Sequence, residues 1–366
     1  MKILVTGSAG FIGAALIERL LDRQEVTGIV GVDNLNDYYD PALKEYRLRK
    51  IDEHYSSLIP DPIRNLKYEF IKGDIADREF IEALFAGHKF DIVVNLAAQA
   101  GVRYSIENPD VYVESNVLGF YNILEACRRH PVKHLVYASS SSVYGGNKKV
   151  PFSVEDKVDD PVSLYAATKK SNELFASCYS KLYGIQCTGL RFFTVYGPAG
   201  RPDMAYFGFT DKLVRGEKIQ IFNYGNCERD FTYVDDIVEG IVRVMGQPPI
   251  CHSERDCHSE RSEESRSFGK PQDDSAPHRL YNIGGGQPVK LLDFVQILQE
   301  ELVRAGVLPE DYDFEAHKEL VPMQPGDLPV TFADTSALER DFGFTPQVPL
   351  RTGLRKFAEW YKEFYG

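Results

Sequence analysis

The chain has 366 residues, 43% of them hydrophobic and 26% charged, with a formal net charge of −12. That length predicts one large domain or two intimate ones, and the acidic balance argues against nucleic acid, whose phosphates need clustered Lys and Arg. No stretch approaches the ~18 unbroken apolar residues of a membrane helix. The N-terminal MKILVTG meets a glycine turn too early for a secretory signal, and six cysteines (Cys127, Cys178, Cys187, Cys227, Cys251, Cys257) show no disulfide framework, so a cytoplasmic setting is expected.

The first half alternates short β-rich runs with helical patterns. A strand at Lys2–Thr6 leads into Gly7-Ser8-Ala9-Gly10-Phe11-Ile12-Gly13, which opens a helix at Phe11–Asp22 with Ile12, Leu16 and Leu20 on one face. In this GxxGxxG spacing Gly7 and Gly10 let the backbone approach a pyrophosphate, Gly13 lets the helix pack on the strand, and the helix N-terminus faces the phosphates. The next strand, Thr27–Asp33, ends on Asp33, 20 residues past Gly13. A carboxylate there takes both adenosine ribose hydroxyls and repels a 2′-phosphate, so NAD is favoured over NADP. After the strand Tyr68–Lys72 comes Asp74, either an adenine contact or a helix N-cap. Strands at Asp91–Leu96, His134–Ser139 and Gln186–Phe192 are apolar along most of their length, as in a parallel sheet covered on both faces. Ser139-Ser140-Ser141-Ser142 lies where ligands bind in doubly wound sheets, beyond a strand's carboxyl end.

The helix at Val162–Tyr183, with Pro161 before it and Gly184 after it, carries Tyr165-Ala166-Ala167-Thr168-Lys169. Tyr and Lys four apart share one face. A nearby ammonium lowers a tyrosine's pKa and makes it a usable base near neutrality. The second half is less regular, with helices at Val234–Met245, Leu291–Ala305 and Leu350–Tyr365 and a buried strand at Tyr281–Gly284. Residues 251–278 contain almost no apolar side chains and repeat CHSER, which predicts a disordered surface loop within 248–278. Cys251, His252, Cys257 and His258 are metal-ligand types, but adjacent Cys-His pairs lack zinc-module spacing, so no metal is expected.

TGSAGFIG, NLAA (95–98), SSSSVYG (139–145), YAATK (165–169) and RDFTYVDD (229–236) together resemble the extended short-chain dehydrogenase/reductase family, in particular its nucleotide-sugar 4-epimerases and 4,6-dehydratases. The resemblance spans nearly the whole chain except 248–278. It implies a Rossmann-type doubly wound α/β fold, with residues 1–192 binding the dinucleotide, segments within 233–286 returning to that domain, and 193–366 mainly forming a smaller substrate-binding domain. It implies Ser140, Tyr165 and Lys169 as the catalytic set and Asn116 as a structural asparagine. The cofactor set becomes Gly7, Gly10, Phe11, Ile12, Gly13, Asp33, Asn34, Asp74, Ile75 and Ala97, with Tyr165 and Lys169.

Dehydratases of this family carry acidic residues (as in TDEVYG), and UDP-glucuronate decarboxylases a glutamate, where this chain has Ser141 and Ser142. What remains is oxidation and re-reduction at carbon 4. AGVRYSIENP (100–109) and RFFTVYGPAGRPDMAYF (191–207) are similar to UDP-glucuronate 4-epimerases, and Thr194 stands where UDP-galactose 4-epimerases usually have Asn. A uronate carboxylate suits the hydroxyls of Ser140, Ser141, Ser142 and Thr194, with Arg103 or Arg201 either adding charge or serving structure. Arg229 is expected either on a diphosphate or paired to Asp235 or Asp236. Asp327, within MQPGDLP (323–329), is expected at the nucleotide, although Gln324-Pro325 replaces an arginine found in galactose epimerases. The expected activity is thus NAD-dependent 4-epimerisation of a UDP-hexuronate. A neutral or N-acetylated UDP-hexose is the alternative substrate, and a catalytically silent NAD-binding sensor or scaffold the alternative class. The resemblance further implies a homodimer through helices near 108–129 and 162–183.

Overall fold

A computed structural model describes residues 1–58, 65–249, 277–323 and 328–366. The first part alternates strictly: β1 (Lys2–Thr6), α1 (Phe11–Leu21), β2 (Gly28–Asp33), α2 (Pro41–Leu58), β3 (Lys67–Lys72), α3 (Arg78–Gly87) and β4 (Ile92–Asn95). A helical run follows, α4 (Tyr104–Glu107), α5 (Asp110–Tyr112), a π-helical turn at Val113–Gly119 and α6 (Phe120–Arg129). Then come β5 (His134–Ser140), a tight 3-10 turn at Ser141–Tyr144, α7 (Leu164–Tyr183) and β6 (Cys187–Phe192). The remainder holds β7 (Thr194–Tyr196), α8 (Ala205–Val214), β8 (Ile219–Ile221), β9 (Glu228–Tyr233), α9 (Val234–Met245), β10 (His278–Ile283), β11 (Pro288–Lys290), α10 (Leu291–Arg304), β12 (Lys318–Leu320), β13 (Val330–Thr331), α11 (Ser336–Phe342) and α12 (Leu350–Tyr365).

Seven strands form one sheet in the order β10-β6-β5-β4-β1-β2-β3, and every pairing in it is parallel. Successive residues point to opposite faces: Ile3 and Val5 pack in the layer with α1 and α9, while Leu4 joins the layer with α3, α6 and α7. Both faces are covered, so β2 and β4 are buried throughout, whereas the edge strand β3 alternates. The chain reverses direction across the sheet between β1 and β4. In doubly wound sheets the crevice beyond the carboxyl ends at such a point is where ligands bind. A smaller sheet has the order β11-β9-β13, with β7 also on β9. Two late segments lie against the large sheet: β10 pairs with β6, and α9 packs on α1, with Arg19 Nη2 3.0 Å from Glu239.

The predicted strands and helices form with shifts of a residue or two at their ends, the strand expected at Tyr281–Gly284 starting three residues earlier, at His278. Helix α7 is capped by Ser163, whose hydroxyl accepts the Ala166 N–H at 3.1 Å, and it stops at Gly184 in the left-handed conformation (φ 71°). Sequence reasoning missed α2. Its apolar positions Leu43 and Ile51 lie on a buried stripe interrupted by Lys44 and Arg47, so the pattern reads as polar. The loop expected at 248–278 falls almost entirely outside the described residues.

Two histidines are buried beside the sheet. His134 donates from Nδ1 to the Met245 carbonyl (3.1 Å), so its Nε2 accepts from Thr188 Oγ1 (2.8 Å). His278 Nε2 meets Tyr137 Oη at 2.9 Å. Burial pushes both pKa values down to about 4. The folded state therefore holds both rings neutral: their stabilisation is complete above the unfolded value of ~6.5 and is lost as pH falls from there toward 4, at about 1.4 kcal/mol per unit for each ring. Urea melts from pH 7 to pH 4.5 should show this decline, and His278→Gln should flatten it. Equal slopes for variant and wild type would reject the assignment.

Candidate active site

A cavity of about 1400 Å³ runs over the carboxyl ends of β1, β2, β4, β5 and β6 and is closed on its far side by residues of β7, α8 and β9. Of the residues singled out in the sequence, Gly7, Gly10, Phe11, Ile12, Gly13, Asp33, Asn34, Asp74, Ile75, Ala97, Arg103, Ser140, Ser141, Ser142, Tyr165, Lys169, Thr194, Arg201 and Arg229 all line it. Asn116 lies just behind its wall, and Asp327 is outside the described residues.

At one end the glycine turn forms a cradle that side chains would fill. Gly7 has φ +70°, and a Cβ there would stand 2.7 Å from the Ala97 nitrogen; a Cβ on Gly13 would collide with the Gly7 carbonyl oxygen. Helix α1 begins directly after Gly10, its first N–H groups free to face an anion. Asp33 accepts the Ala9 N–H at 3.1 Å on Oδ2 and the Leu35 N–H at 2.9 Å on Oδ1. Each carboxylate oxygen keeps a lone pair for a ribose hydroxyl. Asp74 is not a helix N-cap: Asp77 caps α3 through the Phe80 N–H, while Asp74 accepts from Ala76 N–H (2.8 Å) and Asn34 Nδ2 (2.9 Å) beside the cavity. This end has the shape and the donors and acceptors that the adenosine and pyrophosphate of NAD require.

At the other end, β5 runs into the serine turn. Ser140 Oγ accepts the Ser142 N–H at 3.2 Å and the Ser142 hydroxyl at 2.9 Å. Tyr165, one residue into α7, reaches the same serine. Burial raises its pKa, the hydrogen bond with Ser140 and the charge of Arg201 lower it, and the net shift is upward. Lys169 is the residue expected to act beside Tyr165. The two share a helix face, but the lysine's four-carbon stem carries Nζ to the Ala138 carbonyl at 2.9 Å, and burial lowers its pKa to about 8. Asn116 is the anchor behind both: its side chain bonds Gln99 N–H (2.8 Å), Gln99 O (3.0 Å) and Thr168 Oγ1 (3.1 Å), tying α7 to the loop after β4.

Residues 3–251 match the family model described as the NAD dependent epimerase/dehydratase family. The chain belongs to that family. Protein CapI of Staphylococcus aureus is 46% identical over 365 residues, covering all of this chain and 99% of that protein. UDP-glucuronate 4-epimerase 4 of Arabidopsis thaliana is 44% identical over 370 residues, all of this chain and 76% of that one. Among solved structures, UDP-glucuronic acid 4-epimerase from Bacillus cereus in complex with UDP-glucuronic acid and NAD superposes with a TM-score of 0.77 at 30% identity, over 100% of both chains.

Within this epimerase/dehydratase frame the arginines sort differently from one another. Arg229 does not pair with Asp235 or Asp236. Its Nη1 donates to the Glu228 and Pro329 carbonyls, Asp235 lies 3.8 Å from Lys356, and Asp236 caps the Gln347 and Val348 N–H groups. Arg103 lies over the Phe222 ring at 5.4 Å. Arg201 is held by Asp203. Arg47, overlooked in the sequence, spends all five N–H donors on Ala9 O, Tyr39 Oη, Ala199 O (twice) and Gly200 O. It thereby ties the glycine turn to the loop that carries Arg201. The signal was present: Leu43, Arg47 and Ile51 recur at intervals of four, which places an arginine on a core-facing stripe. Among the described residues no cluster of His, Cys, Asp or Glu could hold a metal ion, and none of their helices is long and apolar enough to cross a membrane.

Proposed function

We propose that this protein is an NAD-dependent 4-epimerase that interconverts UDP-glucuronate and UDP-galacturonate. The observation that carries the reading is the convergence of Ser140, Tyr165 and Lys169 at one end of a cavity whose other end is the glycine cradle and Asp33, in a chain 44% identical to UDP-glucuronate 4-epimerase 4 of Arabidopsis thaliana. Gly7, Gly10, Gly13, Asp33 and Lys169 would hold NAD, which supplies a hydride acceptor and donor at carbon 4. Tyr165 takes the O4 proton and returns it to the inverted alcohol, while Ser140 hydrogen-bonds the reacting oxygen. Serines stand at 141 and 142, the positions where an acid would drive dehydration or decarboxylation. Their hydroxyls, with Thr194 and Arg201, receive the C6 carboxylate, and Arg229 faces the diphosphate. In this division residues 1–192, with α9 and β10, bind the dinucleotide, and the rest of 193–366 binds the sugar nucleotide. The test is incubation with UDP-glucuronate, UDP-galactose and their N-acetyl counterparts, with the products separated by chromatography. Accumulation of UDP-galacturonate supports the reading. Faster turnover of UDP-galactose than of UDP-galacturonate overturns the uronate assignment, and no turnover of any sugar favours a sensor.

NAD should bind more tightly than NADP, since a 2′-phosphate would meet the Asp33 carboxylate at contact distance. Lys44 Nζ stands 3.9 Å from Asp33 and is turned to Asn36 O and Oδ1 at 2.8 Å each. Titration of nucleotide-free protein should show the preference, and Asp33→Asn should narrow it. Equal affinities in the wild type would exclude Asp33 as the discriminator.

We propose a homodimer through the outer helices, and exposed apolar side chains support it. Val113 (50% exposed), Leu118 (46%), Leu174 (58%) and Leu182 (66%) lie on the run 108–129 and on α7, the two segments expected to pair. Sedimentation should give twice the mass of 41.4 kDa, and Leu174→Glu should yield monomer. Among the described residues Cys127, Cys178, Cys187 and Cys227 are free thiols, which supports work in the reducing cytoplasm.

A further inference from the structure

Arg201 lines the cavity with Tyr165, and only one edge of its guanidinium is spent. Nε donates to Asp203 Oδ1 at 2.9 Å and Nη2 to Asp203 Oδ2 at 2.5 Å, while Nη1 has no partner among the described residues. The pair is half-buried, with side-chain exposures of 27% and 29%. Asp203 has a further partner on the cavity wall: Tyr38 Oη, on the segment that follows Asp33, donates to Oδ2 at a long 3.4 Å. The Tyr38 ring is itself placed against Tyr104, centroids 4.9 Å apart. A guanidinium anchored along one edge presents the other as a rigid fork, and a carboxylate fits that fork with two parallel bonds. A neutral hydroxymethyl group does not.

We propose that Asp203, steadied by Tyr38, is a positioning and specificity-determining residue that aims the second edge of Arg201 at the substrate's C6 carboxylate. This rests on the uronate reading above. An unanchored Arg201 would still be charged, but it would have to freeze its long side chain on each binding event, a cost that falls only on a substrate bearing the carboxylate.

The experiment compares UDP-glucuronate with UDP-glucose on wild type, Asp203→Asn, Tyr38→Phe, Arg201→Met and the Asp203→Asn/Arg201→Met double variant, reading KM and kcat for turnover and Kd by calorimetry. Losing one well-oriented charge-assisted bond should raise KM and Kd for UDP-glucuronate by roughly tenfold in Asp203→Asn, with UDP-glucose affinity within about twofold. Tyr38→Phe should shift UDP-glucuronate in the same direction by less. In the Arg201→Met background Asp203→Asn should add nothing. Tighter UDP-glucuronate binding in Asp203→Asn would make Asp203 a competitor for Arg201 and overturn the proposal. Equal loss for both sugars, or additive loss in the double variant, would overturn it too. If Asp203→Asn fails to fold, Tyr38→Phe decides: no change in uronate affinity rejects the proposal. A wild type that epimerises UDP-glucuronate but whose variants keep their discrimination refutes only the role of Asp203. A wild type that neither binds nor converts it refutes the uronate reading as well.

Discussion

Tyr165→Phe is expected to lower kcat for C4 epimerisation by roughly 10²–10⁴-fold, the usual worth of a positioned proton acceptor, with UDP-sugar affinity almost unchanged. The change removes one oxygen and keeps the ring, which sits edge-on to Tyr112 at 6.0 Å, so the packing of α7 is preserved. What is lost is the hydroxyl that Ser140 meets and that the charge of Arg201 draws toward ionisation. Burial holds its proton affinity above that of free tyrosine in the protein alone, so ionisation needs a further positive charge, which the nicotinamide ring supplies when NAD is bound. Single-turnover and steady-state assays on the variant check this, with calorimetry for binding. Turnover within a few-fold of wild type would place the base elsewhere, and a collapse of UDP-sugar affinity would make Tyr165 a binding residue.

The large sheet was legible because its strands are covered on both faces. Residues 29–32 and 92–94 read as unbroken apolar runs with no polar alternation to confuse them, and the glycine turn announces β1 and α1 together. The smaller sheet and the separate β8–β12 pair were not. Strands β7, β8, β11, β12 and β13 are two or three residues long, shorter than any periodic signal, and they are held by tertiary contacts such as Asp230. That buried carboxylate collects the N–H groups of Gly285, Gly286 and Ala333 from two distant loops. Nothing local in the chain marks those three donors as partners of one acid.

The site was legible where a function needs a residue type at a fixed spacing, as with Gly7, Gly10 and Gly13 or Tyr165 and Lys169. It was illegible where charged groups are paired across sequence. Lys169 shows the limit of spacing arguments: four residues put it on the Tyr165 face, but its reach put its ammonium on the Ala138 carbonyl. Arg47 and Asp203 act on the site through the backbone or another side chain. Their partners lie 152 residues away for Arg47 with Ala199, and 165 for Tyr38 with Asp203.

Glu173 lies one turn beyond Lys169 on α7 and is expected to carry the second large effect. Its carboxylate accepts Arg191 Nε (2.8 Å) and Nη2 (2.9 Å), the Ser139 hydroxyl (2.7 Å) and Lys170 Nζ (3.3 Å), and the side chains of Glu173 and Arg191 are each 1% exposed. Burial alone would raise the glutamate's pKa; the Arg191 bonds and charge outweigh it and hold the group ionised. Glu173→Ala strands a buried guanidinium whose Nη1 has no hydrogen-bond partner among the described residues and whose face rests on the Tyr144 ring at 4.9 Å. Leaving such a charge uncompensated costs about 3–5 kcal/mol, which urea melts should show. Replacing both partners with leucine should recover part of that loss, because the desolvation of the pair disappears with its attraction. Glu173 also joins α7, which bears Tyr165, to β6 through Arg191 and to β5 through the Ser139 hydroxyl, just before Ser140. Slack there should separate the Ser140–Tyr165 contact and lower kcat by about tenfold or more even in molecules that remain folded, as small misplacements of reacting groups do. Unchanged melts would reduce the pair to a neutral packing contact. A destabilised variant with full kcat would show that β5 and α7 hold their register without it.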